Sequence, residues 1–255
     1  VEWQLRVAAG EPLPVTQDEV SLQGHAIEAR LIAEDPYDGW APQTGRILHW
    51  RPRDAGVRVD DGIAEGGTVT PWYDAMVAKF VAHGRDRADA ARRLVRALED
   101  APLIGPRSNG RFLRDLLRHP QFTAAQIATD TLDAWAAEAA APLQRPVPPE
   151  PAWRVAAAVL AGAPGASGGP GLRPPGVAGF ALTLHCQGER RTLQAPLTDV
   201  SIETLADGWL RYSIDGLRQR APCVRDGDTL HLVPVTTWVD GVPLSRLIDE
   251  GSPEQ

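Results

Sequence analysis

From Gly24 to Glu34 the chain alternates with a period of two. His25, Ile27, Ala29, Leu31 and Ala33 fall on one face, and Ala26, Glu28, Arg30, Ile32 and Glu34 on the other. That period predicts a strand with one face turned to a core. Shorter strands are expected at Arg46–His49, Val57–Val59 and Val77–Ala82. The loops between them carry turn residues, in Asp35-Pro36-Tyr37-Asp38-Gly39, Asp60-Asp61-Gly62 and Glu65-Gly66-Gly67. A 3.6-residue period marks the helices. Glu2 to Ala9 reads as the tail of an amphipathic helix, with Gly10 as its C-cap. Asp86 is placed to cap a helix running to about Glu99, with Ala90, Ala91, Leu94, Ala97 and Leu98 as its apolar stripe. Ser108 opens another, whose Phe112, Leu113, Leu116 and Leu117 face inward and which ends before Pro120. Shorter helical stretches are expected near Ala124 and from Leu132 to Ala141.

The pattern then breaks. Pro142-Leu143-Gln144-Arg145-Pro146-Val147-Pro148-Pro149 suits neither a helix interior nor a central strand, so residues 136–150 read as a linker. A helix of about ten residues follows from Pro151 to Ala161, with proline in its first turn, and Gly162 to Val177 is loop. Beyond it the period is two again, in Phe180–Cys186, Arg190–Leu193, Leu210–Ile214, Leu217–Ala221 and Thr229–Val235. The joints are Gln187-Gly188, Asp207-Gly208, Asp215-Gly216 and Asp226-Gly227, and Asp-Gly between strand-like runs is a hairpin signal. The expected fold class is α+β, in two domains. Residues 1–135 form an antiparallel sheet with helices, and residues 151–235 a helix followed by a small antiparallel β-barrel.

Composition narrows the functional classes. The chain has 255 residues, 43% of them hydrophobic, which is enough for a real core in each of two small domains. The net charge of −7 argues against a general nucleic-acid binder. No apolar run approaches the roughly 20 residues of a membrane span. The two cysteines, Cys186 and Cys223, read as buried thiols rather than a disulfide framework. The six histidines show no HxxxH spacing and there is no CxxC, so no metal site is expected. No Walker sequence, G-x-G-x-x-G or G-x-S-x-G occurs. The arginine-rich stretch Arg85–Arg96 reads as a solvated helix face with i,i+4 partners. The only methionine is Met76 and the chain starts at Val1, so a piece of a longer polypeptide is expected.

Three groups carry candidate chemistry. Glu28 and Arg30 lie two apart on a strand and point the same way. In a cleft, the carboxylate would hold the guanidinium rigid, and a fixed fork of N–H donors suits a planar carbonyl, enolate or carboxylate. On an open surface the same pair is a salt bridge worth little. Asp74, after Trp72-Tyr73 and before the strand at Val77, either lines a pocket or caps the strand entry. Arg58 and Asp60 alternate on another strand, where a solvated face is the plain reading.

Several stretches in order resemble the C-terminal domain of biotin carboxylase. They are Gln4 to Leu13, Gln23 to Pro36, Pro42 to Ile47, Gly56 to Asp60, Tyr73 to Lys79 and Leu103 to Asn109. The match runs over about residues 1–125. Residues 150–233 resemble the β domain that follows biotin carboxylase in acyl-CoA carboxylase α subunits of the methylcrotonyl-CoA type, with a specific echo in Val224 to Leu232. Residues 236–255 diverge from the family.

The resemblance implies ATP-, Mg2+- and bicarbonate-dependent carboxylation of biotin carried on a separate carrier domain, a ligase activity in a cytoplasmic hetero-oligomer. The carboxyl group then passes to an acyl-CoA on a carboxyltransferase β subunit. Neither nucleic acid nor membrane is implied. The family's arginine that grips the biotin ureido oxygen and steadies the enolate falls on Arg30, with Glu28 as its strand neighbour. Asp74 and Arg58 fall on positions near the biotin site. The ATP-grasp part is expected outside this chain, and so is the Met-Lys-Met carrier motif, since Met76 is followed by Val77. This chain alone is then expected to be inactive. The alternative is a non-catalytic assembly module that binds the carboxyltransferase subunit through residues 150–233.

Overall fold

A computed structural model describes residues 1–53, 56–162, 180–205, 208–227, 229–233 and 244–247. In chain order, α1 (Glu2–Ala8) precedes β1 (His25–Ile32), β2 (Glu34–Asp35), β3 (Ala41–Pro42) and β4 (Gly45–Arg46). Then come β5 (Val57–Asp61), β6 (Thr68–Val69), β7 (Met76–Gly84), α2 (Arg87–Asp100), α3 (Gly110–Arg118), α4 (Pro120–Thr123) and α5 (Thr131–Ala137). The remainder is α6 (Glu150–Leu160), β8 (Phe180–Cys186), β9 (Glu189–Ala195), β10 (Val200–Thr204), β11 (Trp209–Ile214), β12 (Leu217–Asp226), β13 (Thr229–Leu232) and β14 (Leu244–Leu247).

A three-stranded antiparallel sheet in the order β1-β7-β5 organises the first half. Its long strand β7 is central, and its inward residues Ala78, Phe80 and Ala82 are buried against Ala29, Leu31 and Val57. The alternation read in β1 is the burial pattern seen: Ala29, Leu31 and Ala33 are buried, while Ala26, Glu28 and Arg30 are exposed. Helix α2 covers the inner face with Ala90, Ala91, Leu94, Val95, Ala97 and Leu98. Asp86 caps it, its side chain accepting from the Asp89 backbone N–H. The i,i+4 partners expected on its outer face are present as Arg85–Asp89, Arg93–Asp89 and Arg96–Asp100. Trp50 packs edge-on against Phe80 and donates its indole N–H to Asp61 at 2.7 Å, which satisfies the one polar atom of a buried ring.

A second core lies under α6, where the fully buried Trp153 is joined by Val155, Ala156, Ala157 and Ala158, and by Leu184, Ile202, Leu210, Ile214, Leu230 and Leu232 from the strands. The strands here do not close into the expected barrel. Those described form a five-stranded antiparallel sheet, β10-β11-β12-β13-β14, and a separate β8–β9 hairpin. The reason is in the pairing. Among the described residues β8 and β9 bond only to each other, and β10 pairs on one side, with β11. Helix α6 seals the core in place of a closing ladder. The Asp215-Gly216 and Gln187-Gly188 joints are the anticipated two-residue hairpins, with φ of 51 and 78° and of 53 and 82°, the pair of left-handed conformations a type I′ turn requires. Asp207 lies outside the described residues, as do residues 163–179, which fall on the expected loop, and most of 234–255.

Smaller differences have local causes. The third helix starts one residue later than expected, with Asn109 at its N-cap. A 3-10 turn at Ala141–Leu143 interrupts the proline-rich stretch. The strand β10 was not anticipated; only two apolar residues, Val200 and Ile202, mark its buried face.

Candidate functional site

The sheet has two faces of opposite chemistry. The register sets Arg30 beside Lys79 and Lys79 beside Asp60; two residues along, Glu28 lies beside Val81 and Val81 beside Arg58. Residues two apart share a face, so Glu28, Arg30, Lys79, Arg58 and Asp60 all stand on the side opposite Phe80 and Ala29. The three expected strand residues, Glu28, Arg30 and Arg58, are therefore brought to one surface.

Glu28 Oε1 accepts from Arg30 Nε at 3.2 Å. The Arg30 side chain is 68% exposed, so this pair contributes little to stability. Its geometry matters more. Anchoring Nε leaves the outer Nη donors directed at solvent, where a ligand can meet them. Arg58 Nε donates to Asp60 Oδ1 at 2.8 Å, and Lys79 Nζ stands 3.7 Å from Asp60 Oδ2. The hydrogen bond from Arg58 holds the Asp60 carboxyl below its usual range. The result is a rail of alternating charge across three strands.

Asp74 does something different. Its Oδ1 accepts from the Met76 backbone N–H at 2.8 Å, the cap at the strand entry that was one of its two readings. Trp72 and Tyr73 beside it are 82% and 85% exposed.

Asn109, which was not singled out as a functional residue, fixes the site from below. Its Oδ1 accepts from the Ile32 N–H at 2.9 Å and its Nδ2 donates to the Arg30 C=O at 3.1 Å. Asn109 is buried, and it replaces the ladder bonds lost where β1 slips register between Leu31 and Ile32. The backbone of Arg30 is thus held from the core side and its side chain by Glu28. A lone Asn ahead of a helix reads as a cap, so its cross-strand role had no local signal.

Asp35 is the other buried acid. Its carboxylate is 1% exposed and accepts from Arg107 Nη1 at 2.5 Å, Arg145 Nη2 at 2.8 Å and the Tyr37 N–H at 3.1 Å. It ties the Asp-Pro-Tyr-Asp-Gly turn to the loop before α3 and to the proline-rich stretch. No group of three or more His, Cys, Asp or Glu among the described residues is arranged to hold a metal ion, and no described helix is long and apolar enough to cross a membrane.

Residues 28–134 match the family described as the biotin carboxylase C-terminal domain. The matched stretch holds most of β1 together with β5, β7, α2 and α3. Among whole proteins, the methylcrotonoyl-CoA carboxylase subunit alpha of Mus musculus is 43% identical over 132 residues, 51% of this chain and 18% of that protein. The biotin carboxylase of Halalkalibacterium halodurans is 45% identical over 130 residues, 51% of this chain and 28% of that one. Among solved structures, the biotin carboxylase domain of a thermophilic 2-oxoglutarate carboxylase bound to bicarbonate is similar with a TM-score of 0.51 at 31% identity. That match covers 53% of this chain and 31% of the other. The biotin carboxylase subunit of a pyruvate carboxylase follows with a TM-score of 0.50 at 35% identity, covering 53% and 30%. The chain thus spans less than a third of the length of each of these relatives.

Proposed function

We propose that residues 1–135 act as the C-terminal part of a biotin carboxylase, within the α subunit of a biotin-dependent acyl-CoA carboxylase. The observation that carries the reading is the presentation of Arg30. Its carbonyl is bound by Asn109, its Nε by Glu28, and its remaining donors stand on an exposed polar face. This donor set fits the ureido carbonyl of biotin, a neutral planar acceptor. Bound biotin supplies a ureido nitrogen that takes up a carboxyl group. Arg30 donates to the ureido oxygen, and a guanidinium already held in place stabilises the negative charge that builds there without reorganising. Glu28 orients the guanidinium. Arg58 and Asp74 border the same site, Arg58 on the rail and Asp74 by shaping the loop that carries Trp72 and Tyr73. Among the described residues no group of three or more His, Cys, Asp or Glu is arranged to hold a metal ion.

In this reading ATP and Mg2+ are bound by parts of a longer polypeptide and the 255 residues alone are inactive. Residues 136–150 link to a second domain, 151–235, that contacts a carboxyltransferase β subunit. Residues 236–255 are a divergent tail. The acyl-CoA is of the 3-methylcrotonyl class, a reading supported by the similarity to methylcrotonoyl-CoA carboxylase subunits over the first half of the chain.

The test grafts residues 28–134 into the Halalkalibacterium halodurans biotin carboxylase in place of their counterpart and measures biotin-dependent ATP cleavage with bicarbonate. The graft is expected to be active. Arg30→Ala within it is expected to lower turnover by about 100-fold or more, the scale of losing one preorganised oxyanion donor. Near-normal turnover with Arg30→Ala would remove Arg30 from the mechanism, and an inactive graft that folds normally would overturn the reading of the domain.

A further inference from the structure

A cleft of about 90 Å³ lies on the far side of β1 from the charged rail, between the first sheet's helices and the second core. Its charged lining comes from Asp35, Arg107, Arg111, Arg114 and Arg145, and Tyr37 and Ser108 add hydroxyls. Leu103 and Ile104 form part of its floor, and Gln187 and Val233 reach it from the second half of the chain.

The charge is unbalanced. Four guanidinium groups face one lining carboxylate, Asp35, which is already saturated by Arg107, Arg145 and the Tyr37 N–H. Asp115 lies outside the lining and takes Arg111 Nε at 3.2 Å. Counting both acids, the four guanidiniums carry two positive charges in excess, one from Arg107 and Arg145, which share Asp35, and one on Arg114, while Arg111 keeps an unmet donor. Arg111 is 7% exposed, and its Nη1 is buried without a hydrogen-bond partner. The Tyr37 hydroxyl, also lining the cleft, is likewise buried without a partner. Burial pushes the Tyr37 phenol up to about 12, so that hydroxyl keeps its proton and is a donor. A charged donor and a neutral donor left unmade in one cleft are costly arrangements that a ligand acceptor would relieve. The cleft is reached from the side of Arg107 and Arg145, whose side chains are 41% and 31% exposed.

We propose that this cleft binds a phosphate group, held by Arg111 Nη1, Arg114 and the Tyr37 hydroxyl. The surplus of two positive charges matches a dianion, and donors arriving from α3 and from the Asp-Pro-Tyr-Asp-Gly turn suit a tetrahedral acceptor better than a flat carboxylate. The volume is that of roughly three waters, which admits a phosphate group and little more. The proposal stands independently of the biotin reading, since it uses none of the residues of the rail.

The experiment is calorimetric titration of the full 255-residue chain with inorganic phosphate, at an ionic strength held constant with sodium chloride. Acetate and ethyl phosphate serve as parallel arms. Saturable binding of about one phosphate per chain is expected, with acetate at least tenfold weaker. Tighter inorganic phosphate identifies a free ion, and tighter ethyl phosphate identifies an ester. Arg111→Gln is expected to weaken phosphate binding by about tenfold or more, the scale of losing one hydrogen bond to a charged group. Tyr37→Phe is expected to weaken it severalfold while leaving the melting temperature in chloride unchanged or higher, because an unpaired buried hydroxyl has been removed. Heats that do not saturate, acetate binding as tightly as phosphate, or unchanged phosphate affinity in the Tyr37→Phe and Arg111→Gln chains would overturn it. If Arg111→Gln does not fold, Tyr37→Phe decides alone.

Discussion

Asp35 shows how a single side chain acquires its role from where the fold puts it. In sequence it is one acid in a turn. Folded, it is the junction of three segments far apart in the chain, with partners at positions 37, 107 and 145. Burial raises its carboxyl, and the hydrogen bonds from Arg145 and Arg107 outweigh that and hold it below its usual value of 3.8. A depressed pKa contributes stability that is present above the unfolded value and is lost as pH falls through the folded one. The chain is therefore expected to lose stability as pH drops below about 3.8, and Asp35→Asn to flatten that part of a stability–pH profile. Asp35→Ala is expected to cost about 1–3 kcal/mol in urea unfolding near neutral pH, because it leaves the Tyr37 N–H and two part-exposed guanidiniums without their acceptor. A loss under 1 kcal/mol would mean that the two arginines find water instead. Arg30 differs in kind. Its pair with Glu28 is exposed and weak, and its interest lies in orientation, which the alternation of β1 already shows. Asn109 was not legible in this way, since its bonds to Arg30 and Ile32 cross 79 and 77 residues.

At the scale of elements, strands and helices followed the periods closely where neighbours agree with the local pattern. β1 and α2 are such cases: each has one apolar face, and each buries that face. Close approaches between elements were not readable. β7 ends at Gly84, where a Cβ would stand 2.4 Å from the backbone N of Ala90 in α2. The loop before α3 passes so near β4 that a Cβ on Gly105 would lie 2.1 Å from the Arg46 carbonyl oxygen, and its φ of +131° is itself open mainly to glycine. Neither contact is with a flexible side chain. Gly84→Ala is expected to destabilise the chain by about 1–3 kcal/mol, as overpacking does. Denaturant melts would show a lower midpoint at an unchanged slope; an unaltered midpoint would mean that α2 can slide away from the strand. In the second half, the Asp-Gly and Gln-Gly turns announce their hairpins because only a few residue types tolerate two successive left-handed conformations. β10, with only two apolar residues on its buried face, announces much less.

The whole molecule holds two separate cores, one around Phe80 and Leu94 and the other around Trp153. Among the described residues Arg220 links to Asp100 across them at 3.1 Å. Cutting one core should therefore leave much of the other standing. Trp153→Ala is expected to cost about 3–5 kcal/mol. In hydrogen exchange it should strip protection from strands β8 to β13 while amides of β7 and α2 remain protected. Parallel loss in both regions would show that the chain unfolds as one unit.

The sequence by itself determined the strands and helices with a clear apolar period, the two-residue hairpins, and the placing of Glu28 and Arg30 on one strand face, because those depend on neighbours within a few residues. It also carried the ordered motifs that residues 28–134 share with the biotin carboxylase C-terminal domain. The tertiary structure decided that Arg30, Lys79, Asp60 and Arg58 share a surface, since cross-strand register is set by pairing between residues 17 to 59 positions apart and not by any one segment. It decided that the second sheet is open among the described residues, because edge pairing rather than strand count closes a barrel. And it decided which charges are left without partners, because an arginine's surplus depends on every carboxylate that packing brings near it.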